Sequence, residues 1–302
     1  MVRRAPISIT GYSRLGLRVR RLAIRSAARG FILALLLALA TVSETVDGTP
    51  ATAQDLQSSQ VDIEYVEPNN SSLRQYYETL KGRHVLEELR EFLSPLRLPH
   101  KLLVKTEECG REAVPYQSGK PIIACYEYVA RIVKLAPAIK TRTGISRDTA
   151  ITGAFVQFVL HQTARAIFDQ LKVPIWGREE DAADNVAAFV MLQFGKEVAV
   201  TTFTGAIWFF EASNHTWTGS DFAQEGSPQA QRFYNYLCVA YGGDPATFSD
   251  IVRDTLLETP RAKRCAHEYK VLTYAFTKTI LPHIDPARLQ KVQSTNWLKW
   301  RN

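Results

Sequence analysis

The chain has no C-x-x-C pair, no glycine-rich phosphate loop, no Ser/His/Asp signature, no internal repeat and no low-complexity tract. These absences exclude, in turn, a cysteine-ligated zinc site, a P-loop nucleotide site, a serine-hydrolase reading, a solenoid and a disordered linker protein. Long apolar runs are also missing: Phe31 to Val42 spans only a dozen residues, where a membrane helix needs about 20. Lysine is absent from residues 1–53, which instead hold eight arginines and only Glu44 and Asp47 as acids. A basic stretch, a short apolar core and the small-x-small site Ala51-Thr52-Ala53 predict a secretion signal over 1–53, cleaved to leave Gln54 as the first residue. An uncleaved anchor is the alternative for that segment.

Removing the signal changes the meaning of the charge. Of the net +7, +6 belongs to residues 1–53, which leaves +1 for the remainder. The basic pI of about 9.2 is therefore no argument for nucleic acid or for an anionic membrane. Expected partners are a peptide or protein. No nucleic acid is expected, nor a stable membrane span after cleavage, and the expected location is periplasmic or extracellular.

Cys109, Cys125, Cys238 and Cys265 make an even set. In an oxidising compartment this predicts two disulfides, with three possible connectivities. The pairs Cys109–Cys125 and Cys238–Cys265 are favoured because each flanks one local hairpin-like unit.

Past a linker at 54–60, Val61 to Val66 alternates apolar and polar residues and predicts a strand. Residues 72–93 predict a helix ended by Pro95. Residues 101–106 and 120–126 predict two strands around the turn Gln117-Ser118-Gly119, and the second runs into a helix near 127–135. From Asp148 onward the pattern is helical, at about 149–171, 178–194, 197–213, 228–241, 246–257 and 261–281, punctuated by Gly195, Gly242-Gly243, Pro245 and Pro260. The fold class is thus α+β: a small antiparallel sheet unit (61–147) followed by a zincin-like helical bundle (148–283), with a tail at 284–302. Trp208, Phe209, Phe210 and Trp217 read as core.

The chemistry centres on His161-Gln162-Thr163-Ala164-Arg165 and, after a short loop, Arg178-Glu179-Glu180-Asp181 and Asp184. Residues at i and i+4 share a helix face. Many zinc peptidases carry H-E-x-x-H on one helix: two histidines hold zinc, and the Glu handles the proton of the attacking water. With its surroundings, from Ile63-Glu64-Tyr65 through Val173-Pro174-Ile175-Trp176 and Gln231-Arg232-Phe233 to Leu237-Cys238, this pattern resembles a family of exported bacterial zinc metallopeptidases over about 61–283. The resemblance implies His161 and Glu180 as zinc ligands and Asp184 as the residue orienting His161. Glu179 and Asp181 read as an acidic first turn, and Arg178 as a helix-start residue.

The departures carry the functional expectation. Gln162 stands at the general-base position and cannot accept a proton at working pH. Arg165 stands at a ligand position and has no lone pair to offer. The family's Asn-Ala pair near Ala113 is replaced by Arg111-Glu112-Ala113, and its histidine near Gln224-Glu225-Gly226 is missing. His215 and His267 fall at no useful spacing to substitute. The expectation is a catalytically inactive member with no cofactor, although zinc serves the family, acting as a binding or scaffold module. The Arg165 guanidinium is expected to replace the metal's charge by pairing bidentately with Glu180. The alternative is an active metal-dependent hydrolase rebuilt around His161, Glu180 and Asp184.

Overall fold

A computed structural model of the chain describes residues 60–137, 145–213, 216, 218–254 and 256–298. The signal segment and its cleavage point, all but the end of the linker, His215 and Trp217 lie outside these residues.

Alternating apolar residues give three strands, β1 (Val61–Tyr65), β2 (Leu102–Glu107) and β3 (Ile122–Cys125). They form one sheet in the order β1-β2-β3. Both pairings are parallel, with Val61 opposite Leu102 and Val104 opposite Ile122, which corrects the expected antiparallel sheet. Two connections account for the direction. Helices α1 (Arg74–Gly82) and α2 (Val85–Leu93) carry the chain from the end of β1 back to the start of β2, as a parallel crossover must. The expected single helix over 72–93 is broken between them at His84, whose φ of 54° is left-handed. The Tyr65 hydroxyl fastens α2 to β1, accepting from Leu86 N–H at 2.7 Å and donating to Glu87 at 2.8 Å.

After β2 the chain does not turn directly into β3. Residues 108–121 return along the neighbouring helix before the turn closed by Lys120 N–H to Gln117 C=O at 2.9 Å. The turn exists, but it ends a return passage rather than joining a hairpin. Both expected disulfides, Cys109–Cys125 and Cys238–Cys265, are present. The first clasps the like ends of two parallel strands, and the second joins two helices, so neither closes a hairpin.

The helices that follow are α3 (Tyr126–Leu135), α4 (Arg147–Leu171), α5 (Glu179–Met191), α6 (Lys196–Ala212), α7 (Gln229–Gly243), the short α8 (Asp250–Arg253), α9 (Thr259–Thr279) and α10 (Pro286–Ser294). α4 starts where the Ser146 hydroxyl caps Thr149 N–H at 3.0 Å, which satisfies one of the helix's orphan donors. It is buried on nearly every side, which makes it the central helix of the bundle. Gly153 and Gly205 let α4 and α6 meet backbone to backbone: a Cβ on Gly205 would stand 2.3 Å from the Thr149 carbonyl oxygen. One hydrophobic core runs from Val61 and Val104 of the sheet through the bundle to Trp297. Packed structure continues past 283, where the Trp297 ring meets Phe92 edge-on at 5.4 Å.

Candidate functional site

Helix α4 presents Gln157, His161, Gln162 and Arg165 to a cleft of about 590 Å³ that is also lined by Ala113, Glu180 and Gly226. Glu180 and Asp184 come from the first two turns of α5, one turn apart, so both carboxylates reach the same imidazole. His161 Nδ1 lies 2.8 Å from Asp184 Oδ1 and Nε2 lies 2.9 Å from Glu180 Oε2. With only 4% of His161 and 5% of Asp184 exposed, these contacts are made out of water, where an unpaired charge would be costly.

Charge is balanced locally. Arg165 Nε donates to Glu179 at 2.9 Å, and its Nη1 stands 2.8 Å from Glu180 Oε1 as an ion pair at an angle unsuited to a hydrogen bond. The guanidinium therefore divides between two carboxylates and does not grip Glu180 with both nitrogens. Glu179, read from the sequence as a helix-start charge, is half of that pairing. Asp181 likewise has a specific partner, accepting from the Ser227 N–H and hydroxyl at 3.1 and 2.8 Å. Gln162 accepts from Tyr116 N–H at 2.8 Å through its carbonyl oxygen. That contact fixes the amide orientation and ties the returning 108–121 segment to the cleft floor.

Arg232 of α7 enters the sequence reading only as part of the family resemblance, without a role. It donates to Asp184 through Nε at 2.6 Å and Nη2 at 2.8 Å, while its guanidinium lies 4.5 Å from the centre of the Phe210 ring. Gln157 donates to both Asp184 and the Tyr236 hydroxyl, at 3.1 and 3.2 Å. No spacing in the sequence points to Arg232, because its partner Asp184 lies 48 residues away on another helix.

The ionisation states follow from this packing. Burial alone would raise Asp184, but the charges of Arg232 and His161 and their hydrogen bonds hold it well below the usual carboxylate range. Glu180 is likewise lowered against burial, by the bond and charge of His161 and by Arg165. Burial alone would lower His161, yet the Asp184 and Glu180 contacts raise it above its ordinary value of 6.5. With His161 protonated, the cluster sets three cations, His161, Arg165 and Arg232, against three carboxylates, Glu179, Glu180 and Asp184. In that state His161 and Arg165 set two positive charges beside Glu180, the same charge a divalent ion would bring.

The residues present do not fit a three-ligand zinc site. Nε2 of His161 is spent on Glu180, Asp184 lies on the opposite nitrogen, and a guanidinium occupies the third corner. His161, Glu180 and Asp184 are brought together, but they do not converge on one point. Among the described residues, the group of three His, Cys, Asp or Glu whose donor atoms lie within 4.8 Å of one another is Cys109, Cys125 and Glu127. Its sulfurs are bonded to each other, and Glu127 accepts from Cys109 and Gly110 N–H. Of the other departures, Ala113, Gln224 and Glu225 line the cavity.

No curated protein and no solved structure matches the chain significantly. A family model described as "Putative metallopeptidase", whose class implies a metal such as zinc, matches residues 65–280. The matched span runs from β1 to the end of α9 and takes in both the HQTAR helix and the acidic turn facing it, and the chain belongs to that family.

Proposed function

We propose that this chain is an exported member of the metallopeptidase family that no longer hydrolyses peptides and serves as a binding or scaffold module through the retained cleft. The observation that carries this reading is the position of Arg165: one turn from His161, with Nη1 2.8 Å from Glu180 Oε1. A guanidinium cannot donate an electron pair to a metal, and it supplies the charge that Glu180 needs to stay ionised. Gln162 adds to the argument, because an amide held by Tyr116 N–H cannot relay the proton of an attacking water. Two disulfides fit an exported protein. The cleft still has the volume and mixed polar and aromatic lining to hold a peptide segment.

The test is metal analysis of the purified protein together with hydrolysis of an unstructured protein such as casein, with and without added zinc. The expected result is sub-stoichiometric zinc and no hydrolysis above that of a His161→Ala variant. Stoichiometric zinc with chelator-sensitive hydrolysis lost in His161→Ala overturns the proposal and establishes the rebuilt hydrolase.

A further inference from the structure

The outer face of α9 combines charge and apolar surface in a way that the cleft does not explain. Lys263, Arg264, His267, Lys270, Val271, Tyr274 and Lys278 are all exposed. At 100° per residue they fall within an arc of about 120° on the helix surface. The one acid of this helix, Glu268, is held by Arg261, and Lys263, Arg264, Lys270 and Lys278 make no ion pair among the described residues. Lys278 instead sits over the Tyr274 ring, 5.8 Å from its centre. Five large apolar side chains are markedly exposed among the described residues, and three of them lie here: Val271 at 54%, Tyr274 at 65%, and Leu281 at 41% just past the end of α9.

Charge of one sign interleaved with an aromatic and aliphatic side chains is the surface that rests in the headgroup region of an anionic bilayer. The lysine heads reach lipid phosphates while Val271, Tyr274 and Leu281 enter the acyl boundary. A soluble polyanion would satisfy the four cations but would leave the apolar side chains in water. A second feature favours lipid. An apolar cavity of about 220 Å³ lies between α4, α5 and α9, lined by Leu160, Phe189, Phe276 and Ile280, and by Thr277 and Leu281 where it borders this face. It gives a hydrocarbon chain somewhere to enter beside the basic stripe.

We infer that α9 attaches the protein peripherally to an anionic membrane surface, independently of whatever the cleft binds. The near-neutral whole chain after signal removal does not oppose this, because attachment depends on local charge within a Debye length.

The test is co-sedimentation of the full protein, as recovered from the expressing cell, with vesicles of phosphatidylcholine alone or with one third phosphatidylglycerol. The protein is expected to bind only the anionic vesicles at low salt. A K263Q/K270Q/K278Q variant should partition on the order of 100-fold more weakly. V271S/Y274S/L281S should retain salt-sensitive binding but lose the fraction that survives 0.5 M salt. All six side chains are at the surface, and unchanged circular dichroism and melting would confirm that the variants fold. Equal binding to both vesicle types, no binding, or indifference to the lysine substitutions overturns the inference. Binding to heparin but not to vesicles would overturn it too, marking a polyanion surface instead.

Discussion

Installing the two residues of the H-E-x-x-H pattern gives the sharpest test of how the cluster balances its charge. In Q162E/R165H, an imidazole faces Glu180 one turn from His161 and a carboxylate returns beside it. Without metal the variant should be less stable than wild type. Arg165, whose side chain is 12% exposed, is removed from Glu179 and Glu180, and the carboxylate introduced at position 162 adds a fourth acid to the cluster. Breaking a fully buried pair costs about 3–5 kcal/mol. Glu180 keeps its His161 contact and its side chain is 25% exposed, so screening brings the expected loss to about 1–3 kcal/mol. For a chain of this size that is a fall in Tm of about 2–12 °C. Zinc at 100 to 1,000 times its Kd should then return about 2.7–4.1 kcal/mol, and a chelator should abolish the gain. The assay is thermal unfolding of wild type and variant with zinc, without zinc, and with zinc plus chelator. A wild-type Tm that rises with zinc as much as the variant's, or a variant insensitive to zinc, would refute the reasoning.

Asp184→Asn removes the carboxylate on which Arg232, His161 and Gln157 converge. It should cost about 2–4 kcal/mol in urea unfolding, less than the loss from a fully buried pair, because Arg232 loses its carboxylate but its side chain is still 20% exposed, whereas a loss under about 1 kcal/mol would show that Arg232 finds another partner. The His161 value is raised on folding, so its contribution is complete below about pH 6.5 and is lost as pH rises through the folded value. Asp184 and Glu180 are lowered on folding, so theirs is complete above their unfolded values and is lost as pH falls through the folded ones. Stability should therefore decline as pH rises above about 6.5 and through the folded value of His161, and His161→Gln should flatten that slope in urea titrations at several pH values. An unchanged slope would place the titrating group elsewhere. Gly205→Ala should destabilise by about 1–3 kcal/mol or more, because the atoms a Cβ would meet are backbone of Thr149 and Gly153. A melting temperature within about 1 °C of wild type would show that α4 and α6 can separate.

Helical spacing was readable without coordinates. His161 with Arg165, and Glu180 with Asp184, each share a face because four residues make about one turn; that the two faces meet follows from the packing of α4 against α5. Both disulfide pairs could also be named, although the hairpin reason for them does not survive. Period-two alternation says which face of a strand is buried, but it is the same for parallel and antiparallel pairing. The direction of β3 was therefore decided by the path of 108–121 along α4, pinned where Tyr116 N–H meets Gln162. The split of Arg165 between Glu179 and Glu180, and the partnership of Arg232 with Asp184, 48 residues away, belong to the packing of α4, α5 and α7. Local sequence determines which side chains can share a surface, because a helix fixes its own geometry. Which surfaces meet, and so which buried charges find each other, is set only when the core closes.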